Sequence, residues 1–459
     1  MRALLALSLS ASLSASFLAL TAAGALAAER VEATLVGQAI LPAETVVAPP
    51  EDAPADLLVS GKFAGPGNTR TETLGAIAGT SFAHPSSAPR PTGYSLPIEG
   101  QPLQGLSGIK AMGDGTYWAL SDNGFGSKAN SPDAMLMLHH LRPDFATGAI
   151  EVVETVFLAD PNRNVPFRIA NEATDARYLT GSDFDLESIQ PVEDGFWIGD
   201  EFGPYVFKVD RSGAVERVIE TEIDGVVARS PDHPNVLVPA TPDGAAQFVV
   251  RRSRGYEGMA IAPDGSVLYP LLEGPVWDAE TNGWETVDGR TALRILELST
   301  ESGEWTGRSW FYPLEAAGHA IGDFNMIDAD SALVIERDGG EGTGPDVCPE
   351  GAPRPDCFGT PAQFKRVYRI DFGAPGEAVV KVAYIDLLDI ADPEGVARQG
   401  TVDGVFTFPF VTIEDVDVVD AETIIVGNDN NFPYSAARAP QVQDDNELVL
   451  IRAPGLLAD

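Results

Sequence analysis

The sequence predicts an all-β protein, a β-propeller of five to seven blades with six favoured. Two observations lead to this prediction. Short runs of Val, Ile, Thr and Tyr alternate with turns rich in Gly, Pro and Asp along the chain, and one hairpin pattern occurs five times. A two-sheet sandwich is the alternative architecture, but it leaves the repeat unexplained.

Each repeat opens with a small polar or acidic residue, continues through an apolar strand, a turn and a second strand, and closes with an acid. Asp-Gly forms the turn in the first three repeats, a pair that tolerates positive φ. There the opening residue lies seven positions before the turn Asp, so the hairpin brings it close to the closing acid. The repeats occupy residues 105–124, 185–201, 255–274, 323–338 and 412–431.

The repeats are widely spaced. The positions 107, 187, 257, 325 and 414 are separated by 80, 70, 68 and 89 residues. A minimal four-stranded blade needs only about 40 to 45 residues. Each blade is therefore expected to carry a sizeable loop.

The N-terminus has the pattern of a signal peptide. Arg2 precedes an uncharged run of Leu, Ala and Ser, which ends in small residues at positions 25–28. A membrane anchor is the alternative, since the run approaches spanning length. The predicted organisation is a signal peptide at 1–28, an extension at 29–56, one propeller domain at 57–453 and a tail at 454–459. The mature chain is expected to be a periplasmic or secreted monomer.

The charge is strongly acidic, with 30 basic against 68 acidic residues and a net charge of -38. Such a surface repels nucleic acid and anionic membranes, which bind through Lys and Arg clusters. Nucleic-acid partners and stable membrane insertion are therefore excluded, and cations are attracted. The two cysteines, Cys348 and Cys357, are predicted to form a local disulfide in an exported chain.

Radial blades would place the open ends of the hairpins around one axis. Two carboxylates about 4 Å apart repel by about 4 kcal/mol at an effective dielectric constant of about 20, so an acid cluster takes up protons or binds a cation. Oxygen ligands select Ca²⁺ or Mg²⁺, and a flexible acid ring favours Ca²⁺. For any single acid, capping of a turn is the alternative. The predicted metal ligands are Asp122, Glu187, Glu257, Glu273, Glu336, Glu414 and Asp429.

Four acids from the second and third repeats are the predicted catalytic residues, namely Glu187, Asp200, Glu201 and Glu257. Arg254 and Arg337 are the predicted anion-binding residues, with ion pairing to neighbouring acids as the alternative for Arg337. His319 is a candidate general base or a structural residue. The sequence has no Gly-x-Ser-x-Gly elbow and no His-Glu-x-x-His motif.

Taken in order, the five repeats resemble the phytase-like domain family, which is also named for esterase-like activity. The resemblance extends over residues 57–453 and rests on segments 106–108, 120–124, 185–187, 199–203, 256–259, 335–338 and 428–432. It implies a Ca²⁺-dependent propeller that hydrolyses small-molecule phosphoesters or related esters. Ser107 stands where later repeats have Glu, and the fourth repeat offers Asp323 or Asn325 there, so the ligands from those two blades are in doubt.

Two other functions remain open on the sequence. One is a lactonase-like propeller hydrolase with a metal held by Glu and Asn residues from separate blades. The other is a non-enzymatic binding module in which calcium only stabilises the fold.

Overall fold

A computed structural model describes residues 27–65, 69–72, 77–80, 88–241 and 247–458. Regular structure in this part of the chain is almost entirely β, as the sequence predicts. Residues 1–26 of the predicted signal peptide lie outside the described residues. No helix within the described ranges is long and apolar enough to cross a membrane.

Five four-stranded antiparallel sheets form the body of the structure. The first sheet consists of Leu106–Ala111, Tyr117–Ser121, Met137–Asp144 and Ala149–Phe157. The second consists of Leu186–Val192, Gly195–Asp200, Tyr205–Asp210 and Val215–Glu220. The third consists of Tyr256–Ile261, Val267–Leu272, Arg290–Ser299 and Trp305–Pro313. The fourth consists of Ala320–Met326, Ser331–Arg337, Lys365–Asp371 and Val380–Asp386.

The fifth sheet takes its outer strand from the beginning of the chain. Ile413–Val418, Thr423–Asn428 and Asn446–Arg452 are completed by Thr34–Leu41, which pairs antiparallel with Asn446–Arg452. The predicted boundary at residue 57 is therefore wrong, because part of the expected N-terminal extension is an integral strand of the last sheet. Pairing between the two ends of the chain closes the arrangement.

Shorter elements occupy the connections. The additional strands are Glu29–Arg30, Val46–Val47, Val59–Ser60, Ala64–Gly65, Thr69–Arg70, Ile77–Thr80, Pro91–Leu96, Ile98–Glu99, Gln101–Pro102, Glu222–Ile223, Val226–Val227, Trp277–Asp278, Gly283–Trp284, Thr286–Val287, Ile390–Ala391, Thr401–Val402 and Val405–Phe406. The helical turns are Ala55–Leu57, Gly344–Asp346 and Pro454–Leu457. Leu456, in the predicted tail, is buried.

The first strands of the five sheets contact one another in a closed cycle, the first with the second and so on until the fifth meets the first. The apolar core follows the same cycle. It consists of separate clusters, one for each neighbouring pair of sheets. Five equivalent strand ends therefore surround a common centre.

Asp323 and Asn325, on the first strand of the fourth sheet, lie at that centre. Asp323 Oδ2 accepts hydrogen bonds from the backbone N–H groups of Ile109 and Val416, both at 3.2 Å. Asn325 Nδ2 donates to the carbonyls of the same two residues at 3.2 and 2.8 Å. The fourth sheet thus ties the first and fifth sheets together through Asp323 and Asn325, the two residues that the fourth repeat offers at its opening position.

Gln190 extends the network to the remaining sheets. Its Nε2 donates to Met259 O at 2.6 Å and to Asn325 Oδ1 at 2.8 Å. Lys110 Nζ donates to Asn325 Oδ1 at 3.0 Å and forms an ion pair with Asp417 at 2.9 Å. We call these residues, with Asp323, the axial network. All five sheets contribute a polar group to it, so it links them at the centre of the ring.

The two ends of the ring differ in the length of their connections. At one end the first and second strands are joined by short turns at 112–116, 193–194, 262–266, 327–330 and 419–422. At the other end the second and third strands are joined through 122–136, 201–204, 273–289, 338–364 and 429–445. Segment 338–364 contains the disulfide between Cys348 and Cys357, whose Cα atoms are 5.0 Å apart. The long connections surround the end that carries the repeated acids.

Candidate functional site: a buried carboxylate cluster

The ladder of each first hairpin shifts register near its open end. In the second, third and fifth sheets the shift falls on one residue, which is Glu187, Glu257 or Glu414. A bulge of this kind re-aims a side chain and often lies beside an active site. In these three sheets it acts on the glutamates that the repeat predicts to be metal ligands.

The same alignment defines two equivalent positions in every sheet. The opening position follows the residue of the first strand that precedes the register shift. The closing position follows the partner of that residue on the second strand. The opening residues are Ser107, Glu187, Glu257, Gly322 and Glu414, and the closing residues are Asp122, Glu201, Glu273, Arg337 and Asp429.

The fourth sheet is the exception in both positions. Gly322, rather than Asp323 or Asn325, is its opening residue. A Cβ at Gly322 would lie 2.2 Å from Ile413 O, so the neighbouring backbone leaves no room for a side chain. Its closing residue is Arg337, which pairs with Ala320 in the ladder. At these positions the ring therefore carries acids from the first, second, third and fifth sheets and a cation from the fourth sheet.

Three groups of three carboxylates have ligand oxygens that all lie within 4.8 Å of one another, and these side chains are buried. We call the six residues involved the carboxylate cluster. Glu187, Glu201 and Glu257 each belong to two groups. Such groups could hold metal ions. The three groups are Asp185 with Glu187 and Glu201, Glu187 with Glu257 and Glu414, and Glu201 with Glu257 and Glu273.

Asp185 is a member of the cluster that the sequence analysis did not assign to the site. Its two oxygens accept hydrogen bonds from Asn123, from the backbone N–H at 3.0 Å and from Nδ2 at 2.8 Å. Asn123 thus orients Asp185. The sequence signal was present, because Asp185 lies two positions before Glu187 in the same repeat.

Burial dominates the electrostatics of the cluster. It raises the pKa values of Glu187, Glu201 and Glu257 well above the usual range, and repulsion from neighbouring carboxylates adds to the effect. It also raises the pKa of Asp185 to about 6. Glu257 Oε1 is buried and has no hydrogen-bond partner among the described residues. The cluster therefore has fewer hydrogen-bond donors than its carboxylate oxygens can accept from.

Two arginines partly balance the acids. Arg337 is buried, and its Nη2 lies 2.6 Å from Glu414 Oε1 and 3.6 Å from Glu257 Oε1. Arg254 forms an ion pair with Glu273, but 47% of its side chain is exposed. Both predicted anion-binding residues therefore lie at the cluster, Arg337 within it and Arg254 at its solvent side.

Three further residues at the opening and closing positions lie beside the cluster, namely Ser107 and Asp122 of the first sheet and Asp429 of the fifth. Ser107 Oγ donates to Glu187 Oε2 at 2.5 Å and lies 3.4 Å from Glu414 Oε2. Asp122 accepts hydrogen bonds from Gln104 and from the Gly124 backbone at 3.1 and 2.8 Å. Asp122 and Asp429 lie outside the three groups formed by the described acids. Burial raises the pKa values of both.

Asp200, a predicted catalytic acid, is a support of the site. Its two oxygens accept hydrogen bonds from the backbone N–H groups of Asp185 and Gly203, at 2.9 and 2.7 Å. Burial raises its pKa to about 7. Both oxygens are held by these two backbone hydrogen bonds. Asp200 therefore fixes the backbone near Asp185 and Glu201 and positions the cluster.

Glu336 does not belong with the carboxylate cluster, which corrects its prediction as a metal ligand. Its carboxylate lies 2.8 Å from His319 Nδ1, 2.6 Å from Lys381 Nζ and 3.0 Å from Tyr312 OH. Burial would raise the pKa of Glu336, but His319 and Lys381 outweigh this and hold it below the usual value. The same contacts give His319 a structural partner outside the cluster.

Comparison with known proteins identifies the family to which the sequence is similar. A family model described as phytase-like, esterase-like activity of phytase, matches residues 101–432. An uncharacterized secreted protein of Arthroderma benhamiae is 26% identical over an aligned length of 236, and the match covers 41% of this chain and 46% of that protein. The chain therefore spans less than half the length of this relative.

Solved structures with a similar arrangement are distant. The periplasmic gluconolactonase PpgL of Pseudomonas aeruginosa aligns over 83% of this chain and 99% of its own, with 12% identity and a TM-score of 0.30. Hydrazine synthase of Kuenenia stuttgartiensis aligns over 72% and 78%, with 13% identity and a TM-score of 0.30. Similarity at this level supports no conclusion about activity.

Proposed function

Because this chain belongs to the phytase-like family, we propose that it is a calcium-dependent hydrolase of phosphoesters or related esters that acts at the carboxylate cluster. The single observation that carries the proposal is the convergence of three buried, oxygen-only groups with too few cations to balance them. We further propose that the five sheets are the blades of a five-bladed propeller, at the lower end of the predicted range.

The charge balance favours a bound cation. Six carboxylates share the cluster, and only Arg254 and Arg337 form ion pairs with them among the described residues. Carboxylates about 4 Å apart repel by about 4 kcal/mol at an effective dielectric constant of about 20. A divalent ion or bound protons must supply the missing positive charge. The unpartnered Glu257 Oε1 offers an acceptor that such an ion would satisfy.

The chemistry of the donors favours calcium over transition metals. The cluster offers carboxylate oxygens, and no His or Cys belongs to the three groups. Hard oxygen donors suit Ca²⁺ and Mg²⁺, and a set of several carboxylates suits the larger, more flexible shell of Ca²⁺. Glu187, Glu201 and Glu257 are each shared by two groups, so we propose them as the principal ligands.

When bound, calcium would supply charge neutralisation and activation of water towards an ester. The chain supplies the remaining functions. Arg254, half exposed beside Glu273, is placed to bind an anionic oxygen of an arriving substrate. Asp200 holds the backbone that presents Glu201.

We propose that substrate reaches the cluster from the end of the ring that carries the long connections. Arg254, about half exposed at the solvent side of the cluster, lies where an arriving substrate would first meet it.

Turnover assays test the proposal. The purified protein would be assayed on phytate, an aryl phosphate and an aryl ester, in Ca²⁺ or in excess chelator. We expect turnover of at least one of these esters in Ca²⁺, and we expect chelator or Glu257→Gln to abolish it. Glu151→Gln, on an exposed acid paired with Arg142, is the matched control and should leave activity unchanged.

Absence of calcium-dependent turnover on every ester would reject the hydrolase. Turnover of a lactone without phosphatase activity would instead favour the lactonase alternative. Calcium that raises the melting temperature without any turnover would favour the binding module.

We also propose that the protein is exported. The similar fungal protein is described as secreted, and a disulfide joins Cys348 and Cys357 as expected for an oxidising compartment. Protein mass spectrometry of the periplasmic and medium fractions would test this, and a mature N-terminus at or near residue 29 is the expected result.

A further inference from the structure

A second cavity lies between the third and fourth sheets, away from the carboxylate cluster. Its volume is about 550 Å³; Ala27 and Ala28 of the predicted signal peptide line one part of it, and the other lining residues belong to the predicted mature chain. Arg290 and Pro313 line it from the third sheet, and Arg366, Tyr368 and Tyr384 line it from the fourth. None of these residues belongs to the three carboxylate groups, so the cavity is a separate feature of the molecule.

Arg366 is held by two aromatic rings and a tyrosine hydroxyl. Its guanidinium lies over the ring of Tyr384 at 4.0 Å and over the ring of Phe364 at 4.3 Å. Its Nη1 donates to Tyr368 OH at 2.9 Å. Among the described residues it forms no ion pair with a carboxylate, although Asp288 and Glu315 also line the cavity; the other cations there, Lys381 and Arg290, form ion pairs.

Those other cations are already neutralised. Lys381 Nζ lies 2.6 Å from Glu336 and 3.0 Å from Glu315. Arg290 lies 2.9 Å from Glu315. The positive charge available to a ligand in this cavity therefore belongs to Arg366.

The stacking fixes what Arg366 can bind. Rings on its flat faces leave the edge of the guanidinium, with its N–H groups, as the polar surface. That edge matches a carboxylate or phosphate, which accepts two parallel hydrogen bonds. Val379 and Val380 line the cavity beside it and offer apolar surface to the rest of a ligand.

We propose that this cavity binds a small organic anion, with a carboxylate or phosphate head on the Arg366 guanidinium and an apolar body against the valines and tyrosines. The site is independent of the proposed hydrolase activity, because it shares no residue with the carboxylate cluster.

Calorimetric titration of the purified full chain tests the proposal. Benzoate, phenyl phosphate and inorganic phosphate are the probes, and excess EDTA removes any metal from the cluster. We expect saturable 1:1 binding of at least one aryl anion, with inorganic phosphate weaker. Arg366→Gln should weaken binding about tenfold or more, the range for a lost hydrogen bond between charged groups. Arg366→Lys should retain part of the affinity, since it keeps the charge but loses the planar fork.

Two controls separate this site from others. Arg142→Gln removes an exposed surface arginine and Glu257→Gln alters the cluster, and both should bind the probe as the wild type does. Failure of both aryl anions to bind below about 1 mM would overturn the proposal. So would unchanged binding in Arg366→Gln, loss of binding in Glu257→Gln, or equal affinity for inorganic phosphate and phenyl phosphate. Thermal unfolding of each variant verifies that it is folded, and Arg366→Lys carries the test if Arg366→Gln is not.

Discussion

Arg337 Nη2 lies 2.6 Å from Glu414 Oε1, although the two residues are 77 positions apart. The contact joins the closing position of the fourth sheet to the opening position of the fifth. In the other four sheets the closing position is an acid. The fourth sheet therefore inserts a fixed positive charge into a ring of carboxylates.

Replacing Arg337 by Gln is expected to destabilise the metal-free protein by about 3 kcal/mol, because removal of one partner leaves buried charge uncompensated. Calcium should recover part of this loss by supplying the missing charge. Urea unfolding in chelator and in Ca²⁺ measures both effects. Arg337→Lys is the control and should lose less stability, and equal stability of Arg337→Gln and wild type in chelator would contradict the prediction.

Binding of calcium is expected to release protons. The pKa values of Glu187, Glu201 and Glu257 are raised, so the metal-free cluster holds protons that ligands must lose. Apparent affinity should therefore increase as pH rises from about 5 to about 8. Calorimetry in buffers of different ionisation enthalpy counts the protons, and a heat that does not depend on the buffer would show that the cluster is already ionised.

Glu336 provides a test of which acids form the site. Glu336→Gln should leave calcium affinity unchanged, because Glu336 is bound to His319 and Lys381 outside the cluster. It should lower stability by about 2 kcal/mol, because Lys381 and His319 lose their charged buried partner and Lys381 keeps only Glu315. Parallel calcium titration and urea unfolding distinguish it from Glu257→Gln, which should lose calcium. A loss of calcium in Glu336→Gln would restore the sequence-based assignment.

Asp323 predicts a pH dependence of stability. Burial raises its pKa to about 7, above the ordinary value near 4 of the unfolded chain. Between these values the folded state holds more protons than the unfolded state, so stability falls as pH rises through this window. Asp323→Asn cannot ionise, so it should lose less stability than wild type between pH 4 and pH 7 in chelator. Parallel slopes for the two proteins would contradict this assignment.

The sequence predicts the hairpins and most of the cluster because both follow local rules. Asp-Gly turns fix the register of the first three hairpins, and the register sets which residues meet at the open end. Glu187 and Glu257 follow directly from this spacing. Asp185 lies in the same repeat, but the spacing to the turn identifies Glu187, not Asp185, as the opening residue.

The fourth sheet was misassigned for a physical reason. Glu336 and Arg337 are adjacent, and neighbouring residues of a strand point to opposite faces. Its opening position is Gly322, so no acid marks the register there. A shift of one residue makes Glu336 a predicted metal ligand, although Arg337 occupies the closing position.

The local pattern of residues in the sequence does not predict how the ring closes. Thr34 pairs with Arg452, and no spacing rule connects strands at opposite ends of a chain. The axial network is also invisible in the sequence, since Gln190 and Asn325 read as ordinary polar residues on strands. Both depend on contacts between distant repeats, which only the fold brings together.

The most direct test is a crystal structure of the protein grown with Ca²⁺, with anomalous scattering to locate the ions. The account predicts at least one ion with carboxylate oxygens of Glu187, Glu257 and either Glu201 or Glu414 at about 2.4 Å. Glutamates that point away from one another, or calcium bound elsewhere while the cluster holds none, would contradict it.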